Sequence, residues 1–317
     1  MPERRNLAYE AAVMHYVQGE TMESIARRLG VSRSTVSRLV KTARDEGYVQ
    51  ISLHPPKELA DTLGMRISRY FGIRTHVVPV PLGANEARRL TSVATMAGLV
   101  ISDLVQPNTV IAVAWGNTVS AVSDHLVPKS ASGSVVVQLN GAANKNSTGI
   151  PYAGEIMEAF GRAYGAAVVH FPVPAFFDYA DTREVLWRER SISSVREVQN
   201  SADIAVFGVG ALDSKIPSQV YSGGYLTHNE LASLADEGVV GDICTVLLRA
   251  DGSWADLELN RRASGPTPEA LRAIKRRICV VSGTEKAVPL LAALRARVAT
   301  DLIIDEDTAS RLEEMIS

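Results

Sequence analysis

From Ser24 to Arg44 the chain carries Arg27, Arg28, Arg33, Arg38, Lys41 and Arg44 and no acidic residue, six cations in 21 positions. Such a run can track a phosphate backbone. The hydroxyls set among the cations, Ser34, Thr35 and Ser37, are short enough to bond phosphates or bases without blocking approach. Arg33 and Arg38 can each bridge the two acceptors of a guanine. Arg33, Ser34, Thr35, Ser37 and Arg38 are therefore the candidates for base edges and phosphates, and Lys41 and Arg44 for the DNA backbone. A small helical bundle with a solvated basic face would carry the same charges, so the turn chemistry around them has to decide.

A second group of residues interrupts apolar runs further along. Trp115-Gly116-Asn117-Thr118 follows one such run. Its glycine admits a ligand close to the backbone, and N–H groups with a Thr hydroxyl at a helix start suit a phosphate. The same four residues also make an ordinary strand-to-helix turn capped by Thr118. Gln138, Asn140 and Gly141 lie at the end of another run, where their amides can bond sugar hydroxyls or satisfy nearby backbone. Lys145 in the same loop is read as a solvated lysine and not as a Schiff-base amine, since nothing near it would lower its pKa. Asp178, Asp213 and Asp242 border further runs, each able to hold a pair of hydroxyls or to serve as a turn residue. Gly208-Val209-Gly210 lacks the third glycine of a dinucleotide fingerprint. Gly283 and Lys286, in Ser282-Gly283-Thr284-Glu285-Lys286, form a second candidate anion loop with the lysine as a point charge.

The elements that must carry these residues follow from periodicity. Residues 6–19 repeat apolar positions at three- and four-residue steps and close on Gly19, predicting a helix. A short second helix opens on Thr21, presents Ile25, Ala26 and Leu29, and ends at Gly30; a third, capped by Ser32, runs from Arg33 to about Asp45 with Val36, Leu39, Val40 and Ala43 inward. Helices of these lengths joined by a glycine-containing turn match a helix-turn-helix whose third helix enters the major groove, and this favours DNA over a plain bundle. A short strand is expected at 48–54, stopped by Pro55-Pro56. Residues 57–71 read as an amphipathic helix that either docks on the next domain or pairs with a second subunit. Strands are expected at 75–80, 109–114, 134–139, 166–171, 203–209, 243–248, 278–282 and 301–304. Helices are expected at 84–105, 118–127, 153–164, 181–200, 228–236, 267–276, 285–297 and 306–316. This alternation predicts an α/β fold with a mainly parallel, doubly wound sheet, ligands binding at the C-terminal strand ends. The domains expected are 1–56 (helix-turn-helix), 57–74 (linker helix) and 75–317 (effector-binding).

Charge divides along the same line. The chain of 317 residues has a net charge of −2, but residues 1–57 hold 9 basic against 6 acidic side chains and the remainder 24 against 29. No apolar stretch reaches the length of a membrane span, and the N-terminus lacks a signal-peptide core, so a cytoplasmic protein is expected. The two cysteines, Cys244 and Cys279, sit in apolar runs as buried thiols, and the six histidines show no metal-ligand spacing, so no metal and no cofactor are expected.

The motifs in their joint order are YVQGETMESIARRLGVSRSTVSRLVKTARDEGYVQI, AWGNT, QLNGA, GVGALD, SGGYL, VGDICT and VSGTEKAVPLLAALRARVATDLIIDEDTA. Together they resemble, over essentially the whole chain, the SorC family of bacterial transcriptional regulators, and within it the deoxyribonucleoside regulator (DeoR) branch. The resemblance implies a winged or homeodomain-like helix-turn-helix and an effector domain akin to sugar-phosphate isomerases. It further implies a phosphorylated sugar such as deoxyribose or ribose phosphate as effector, double-stranded operator DNA as partner, and assembly to dimers or tetramers. It places the phosphate loop on Gly116, Asn117 and Thr118, the sugar-contacting strand end on Gln138, Asn140 and Gly141, a carboxylate on Asp242, and the late glycine-lysine pair on Gly283 and Lys286. Asn140 stands where some branches place a basic residue. The function expected is a regulator, acting as a repressor that the sugar phosphate induces. The rival is a sugar-phosphate isomerase or deaminase, which needs a positioned acid and base; Asp213, Asp242 and Lys286 come from three separate loops, with no local motif pairing them.

Overall fold

The computed structural model describes residues 2–49, 62–81, 83–212, 214 and 218–317. Two compact units divide after Ala60. In the smaller one, α1 (Pro2–Ala12) runs into a π-helical turn (Val13–Val17), followed by α2 (Met22–Leu29) and α3 (Arg33–Asp45). Alanines at 8, 11 and 12 keep α1 thin, and Ile25, Val36, Leu39, Val40 and Ala43 close a core against it. The strand expected near residue 50 falls outside the described residues.

The larger unit begins with α4 (Thr62–Phe71), the described part of the expected 57–71 helix. It docks on its own domain: Ile67 is fully buried and Leu63 and Phe71 pack beside it against the core that also holds Leu312. Next come β1 (Arg74–Val78), α5 (Glu86–Leu104), β2 (Val110–Val113), α6 (Asn117–Ser123), β3 (Val135–Gln138), α7 (Ile150–Tyr164), β4 (Ala167–Val169), α8 (Ala180–Leu186) and α9 (Arg190–Asn200). The chain continues through β5 (Ile204–Gly208), β6 (Gly210–Ala211), α10 (Gln219–Ser222), α11 (His228–Asp236), β7 (Val239–Ile243), β8 (Val246–Arg249) and α12 (Pro268–Arg272). It ends with β9 (Arg276–Val281), α13 (Ala287–Arg295), β10 (Asp301–Asp305) and α14 (Glu306–Glu314).

Seven strands form one parallel sheet in the order β1-β10-β9-β5-β2-β3-β4. Period-two alternation feeds cores on both faces: Ile111, Val113, Val136 and Val206 enter one, Ala112, Val137, Ala205 and Phe207 the other. Strands β2, β3 and β4 step one way and β5, β9 and β10 the other, so the order reverses between β2 and β5. The C-terminal ends of those two strands diverge there, and a crevice opens.

Two expectations are corrected. Residues 243–248 are not a strand of the parallel sheet but the tip of a hairpin in a second, antiparallel sheet β6-β7-β8. Cys244 and Thr245 both take left-handed backbone (φ 47° and 72°), the geometry of a tight hairpin turn. Asp242 Oδ2 accepts the Thr245 N–H at 3.1 Å, while Asn260 pairs with both backbone groups of Leu247. The helix expected at 181–200 is two, broken between Leu186 and Arg190. At the break Trp187 turns in against Phe171 and Phe177, with Arg183 and Arg196 over its ring.

Candidate functional site: a DNA-reading helix and a cleft at the strand-order reversal

In the smaller unit, Thr21 accepts the Ser24 N–H and caps α2, and Gly30 ends it in left-handed backbone at φ 63°. Ser32 then caps α3 by accepting the Thr35 N–H at 3.1 Å. The cap also reorganises its neighbours: Ser34 Oγ and Thr35 Oγ1 both lie 2.8 Å from Ser32 Oγ. Arg33, Ser34, Ser37, Arg38 and Lys41 are exposed along one side of α3, and Thr35 is half-buried. Among the described residues, Arg33, Arg38, Lys41 and Arg44 have no ion pair, whereas Arg28 is held by Glu20 at 2.6 Å. The exposed side of α3 thus presents a set of cations with no ion-pair partner among the described residues.

In the larger unit a cleft of about 670 Å³, including its open mouth, occupies the crevice between β2 and β5. Its walls are the β2–α6 loop (Ala114 to Thr118), the β5–β6 segment (Gly208 to Gly210), Asn140, the hairpin residues Asp242, Cys244 and Thr245, and Lys286. Trp115 forms an aromatic side, stacked on Tyr225 at 5.1 Å and edge-on to Tyr152 at 6.4 Å. Gly116 has φ 144°, and a Cβ there would meet nothing within 4 Å, so the backbone is open to the cleft.

Lys286 is half-buried and its Nζ reaches Thr118 Oγ1 at 3.4 Å. Desolvation pushes its pKa below the ordinary lysine range, against the pull of Glu285 and Asp242. Asp242 is 4% exposed. Burial lifts its carboxyl from 3.8 to about 6, although Tyr221, the Thr245 N–H and Lys286 all favour the charged form. Asn140 Oδ1 and Asp242 Oδ1, both on the cleft wall, are buried without a well-formed hydrogen bond among the described residues, although the Tyr221 hydroxyl lies close enough to the Asp242 carboxylate to favour its charged form. Buried polar atoms in native proteins are nearly always satisfied, so orphans gathered at one cleft mark a place where a ligand or ordered water belongs. Gly210 is required here: a Cβ on it would lie 1.9 Å from Asp242 Oδ1.

The structure brings together Gly116, Asn117, Thr118, Asn140, Asp242 and Lys286, drawn from separate loops. Asn117 also ties the loop to its surroundings, its Oδ1 accepting from Tyr152 at 3.1 Å and Gln219 at 3.4 Å. Gln138, Gly141, Asp178 and Gly283 do not line the cleft. The Gln138 amide serves backbone, donating to Asn140 O at 2.7 Å and accepting from Phe171 N. Gly141 donates to Ser264, accepts from Trp115, and lies too close to Val173 for a Cβ. Gly283 donates its N–H to Asp305 at 3.0 Å. Asp178 is exposed elsewhere, and Asp213 lies outside the described residues. Sequence reasoning missed Leu90, Tyr152, Ser218 and Gln219, which no local motif signals, and assigned no role to Tyr225 and Thr245, although they lie in the SGGYL and VGDICT motifs. No group of three or more potential metal ligands occurs among the described residues.

Residues 56–313 match the family model of a sugar-binding domain, and residues 3–52 match a homeodomain-like domain. The chain is 32% identical over 98% of both lengths to the deoxyribonucleoside regulator of Bacillus subtilis. It belongs to the SorC family of transcriptional regulators. A SorC-family fold is also what solved structures share with it. A solved domain from Arthrobacter aurescens TC1, described as that of a possible sugar-binding transcriptional regulator, is 50% identical with a TM-score of 0.76, covering 82% of this chain and all of that one. The full-length sorbitol operon regulator SorC from Klebsiella pneumoniae, 23% identical, superposes with a TM-score of 0.75 over 97% of this chain and 98% of that one. These SorC-family relatives are named as regulators, and this chain is a transcriptional regulator of the same family. No described helix is long and apolar enough to cross a membrane.

Proposed function

We propose that this regulator is a repressor whose grip on double-stranded operator DNA is loosened by a phosphorylated sugar, such as deoxyribose or ribose phosphate, bound in the β2/β5 cleft. The observation that carries the reading is the pairing of a desolvated ammonium with orphaned acceptors in one cleft. Lys286 calls for an anion, while Asn140 Oδ1 and Asp242 Oδ1 call for hydroxyl donors. A sugar phosphate supplies both. Lys286 and Thr118 with the open Gly116 backbone take the phosphate, Asn140 and Asp242 take hydroxyls, and Trp115 offers an apolar face to the ring.

DNA contact follows from α3: Arg33, Ser34, Thr35, Ser37 and Arg38 address base edges and phosphates, and Lys41 the backbone. A homo-oligomer in the cytoplasm, with two such helices on two half-sites, completes the reading. Effector binding favours the arrangement that fits the operator less well, a coupling of about 1–3 kcal/mol in typical cases. A thermal-shift panel of phosphorylated and free sugars, each hit then carried into an operator gel shift, tests it. A sugar phosphate must raise the melting temperature where its free sugar does not, and it must weaken the shift. Turnover of a sugar phosphate that Asp242→Ala abolishes would overturn the reading.

A further inference from the structure

Lys286 has no carboxylate within ion-pair distance among the described residues, so its place in the cleft is set by the backbone that presents it. That backbone is a single 3-10 turn, Thr284–Lys286, opened by Gly283 at φ 108° and closed by the Lys286 N–H donating to Gly283 O at 3.0 Å. On one side this turn runs straight into α13, whose N-cap is Lys286; on the other, its Gly283 end is tied from outside the element. The anchor is Asp305, the N-cap of α14, which is 0% exposed. Its Oδ2 accepts the Gly283 N–H at 3.0 Å and the Thr308 hydroxyl at 2.6 Å. Its Oδ1 accepts Arg89 Nη1 at 2.7 Å and the Thr308 N–H at 3.1 Å.

A carboxylate offers about four lone-pair sites, and all four are taken. Arg89, 11% exposed, also reaches Asp307 at 2.6 Å. Leu90, next to it on α5, lines the cleft. One buried carboxylate therefore fixes two walls of the cleft: the turn that carries the ammonium and the first turns of α5. Capping α14 alone would engage only the two Thr308 donors; the other two bonds run to the cleft elements.

We infer that Asp305, clamped by Arg89, is a positioning residue for the anion subsite: it holds the Gly283 to Lys286 turn so that the ammonium meets the incoming phosphate. This rests on the reading of the cleft as an anion site. Asp305→Asn keeps the shape but turns one acceptor into an amide donor, which must then face the Gly283 N–H or the Arg89 guanidinium. Arg89→Lys keeps the charge but not the reach and rigid geometry with which Arg89 Nη1 meets both Asp305 and Asp307. The test is calorimetric titration of the full chain with inorganic phosphate, for wild type, Asp305→Asn, Arg89→Lys and Lys286→Met, with near-UV circular dichroism and melting temperature recorded for each.

The expected result is that Lys286→Met abolishes phosphate binding, Asp305→Asn weakens it at least tenfold and Arg89→Lys a few-fold, with near-UV spectra unchanged at the titration temperature. A merely structural role would lower the melting temperature and leave the phosphate affinity of the folded variant intact. Wild-type affinity in folded Asp305→Asn, alongside loss in Lys286→Met, overturns the inference and leaves the anion site standing. Should Asp305→Asn not fold, wild-type affinity in Arg89→Lys overturns it equally. Wild-type protein that ignores phosphate, or Lys286→Met that binds it normally, removes the anion site itself.

Discussion

Asp242 is held in a state that costs stability, and Asp242→Asn should recover part of it in a pH-dependent way. Its carboxyl is raised from 3.8 to about 6, chiefly by burial. A carboxyl raised in the folded state binds its proton more tightly there than in the unfolded chain, so its stabilising contribution is full below pH 4 and lost as pH rises through about 6. Shifting by about two units corresponds to about 3 kcal/mol between acid and pH 7 or above, and to about half that at pH 5. Asparagine carries no such penalty and can still accept the Thr245 N–H. It forfeits the attraction between Asp242 and Lys286, so the net gain is smaller than the full linkage. With about 2–4 °C per kcal/mol for a unit of this size, the variant should melt about 3–6 °C above wild type at pH 8. The gap should halve near pH 5 and close near pH 4. Calorimetric melting of both proteins in parallel across this range is the assay. A variant less stable than wild type at pH 8, or a gap that does not shrink on acidification, would refute the assignment of Asp242 as a desolvated, under-paired acid. The stabilised variant should also bind sugar phosphates more weakly, the stability–function exchange expected where a site keeps unsatisfied groups for a ligand.

Other expectations are as direct. Gly210→Ala places a Cβ 1.9 Å from Asp242 Oδ1; it should destabilise the larger unit by about 1–3 kcal/mol and empty the cleft of ligand, read by denaturant melting and titration. Ser32→Ala removes the cap of α3 and should cost about 1 kcal/mol, visible as faster hydrogen exchange at the Thr35 amide. Arg33→Ala should relax base preference at one operator position, whereas Lys41→Ala should weaken all sequences alike and lower the salt slope by about one. If neither changes affinity in a binding titration, the recognition-helix assignment is wrong.

Much of the architecture was legible because it is written in local chemistry. Thr21, Gly30 and Ser32 punctuate α2 and α3 where their capping and left-handed roles require, and apolar runs separated by helical stretches foretold the parallel sheet. The hairpin at Cys244-Thr245 was illegible because its left-handed residues carry side chains. What encloses that turn is tertiary, with Gly265 at the Cys244 carbonyl, where a Cβ would sit 1.7 Å away, and Asn260 along Leu247. The break in 181–200 depends in the same way on Trp187 finding Phe171 and Phe177 across the chain. In the cleft, spacing brought out residue types but not the use of their polar atoms. Asn140 and Asp242 each leave an oxygen without a well-formed bond among the described residues, whereas Gln138 spends its amide on backbone, Gly141 its N–H on Ser264 and Gly283 its N–H on Asp305. Which of two amides is already satisfied is a property of the packing around it, and spacing does not carry it.

On the proposed function, an anion bound in the cleft changes how α3 holds operator DNA. Fluorescence anisotropy of labelled DNA from upstream of its own gene, titrated with the full chain in the presence and absence of sugar phosphates at fixed salt, measures that coupling. At least one sugar phosphate should lower operator affinity by about 5–150-fold, and Lys286→Met should bind the operator normally while losing that response. A sugar phosphate that binds the protein yet leaves operator affinity unchanged would rule the coupling out.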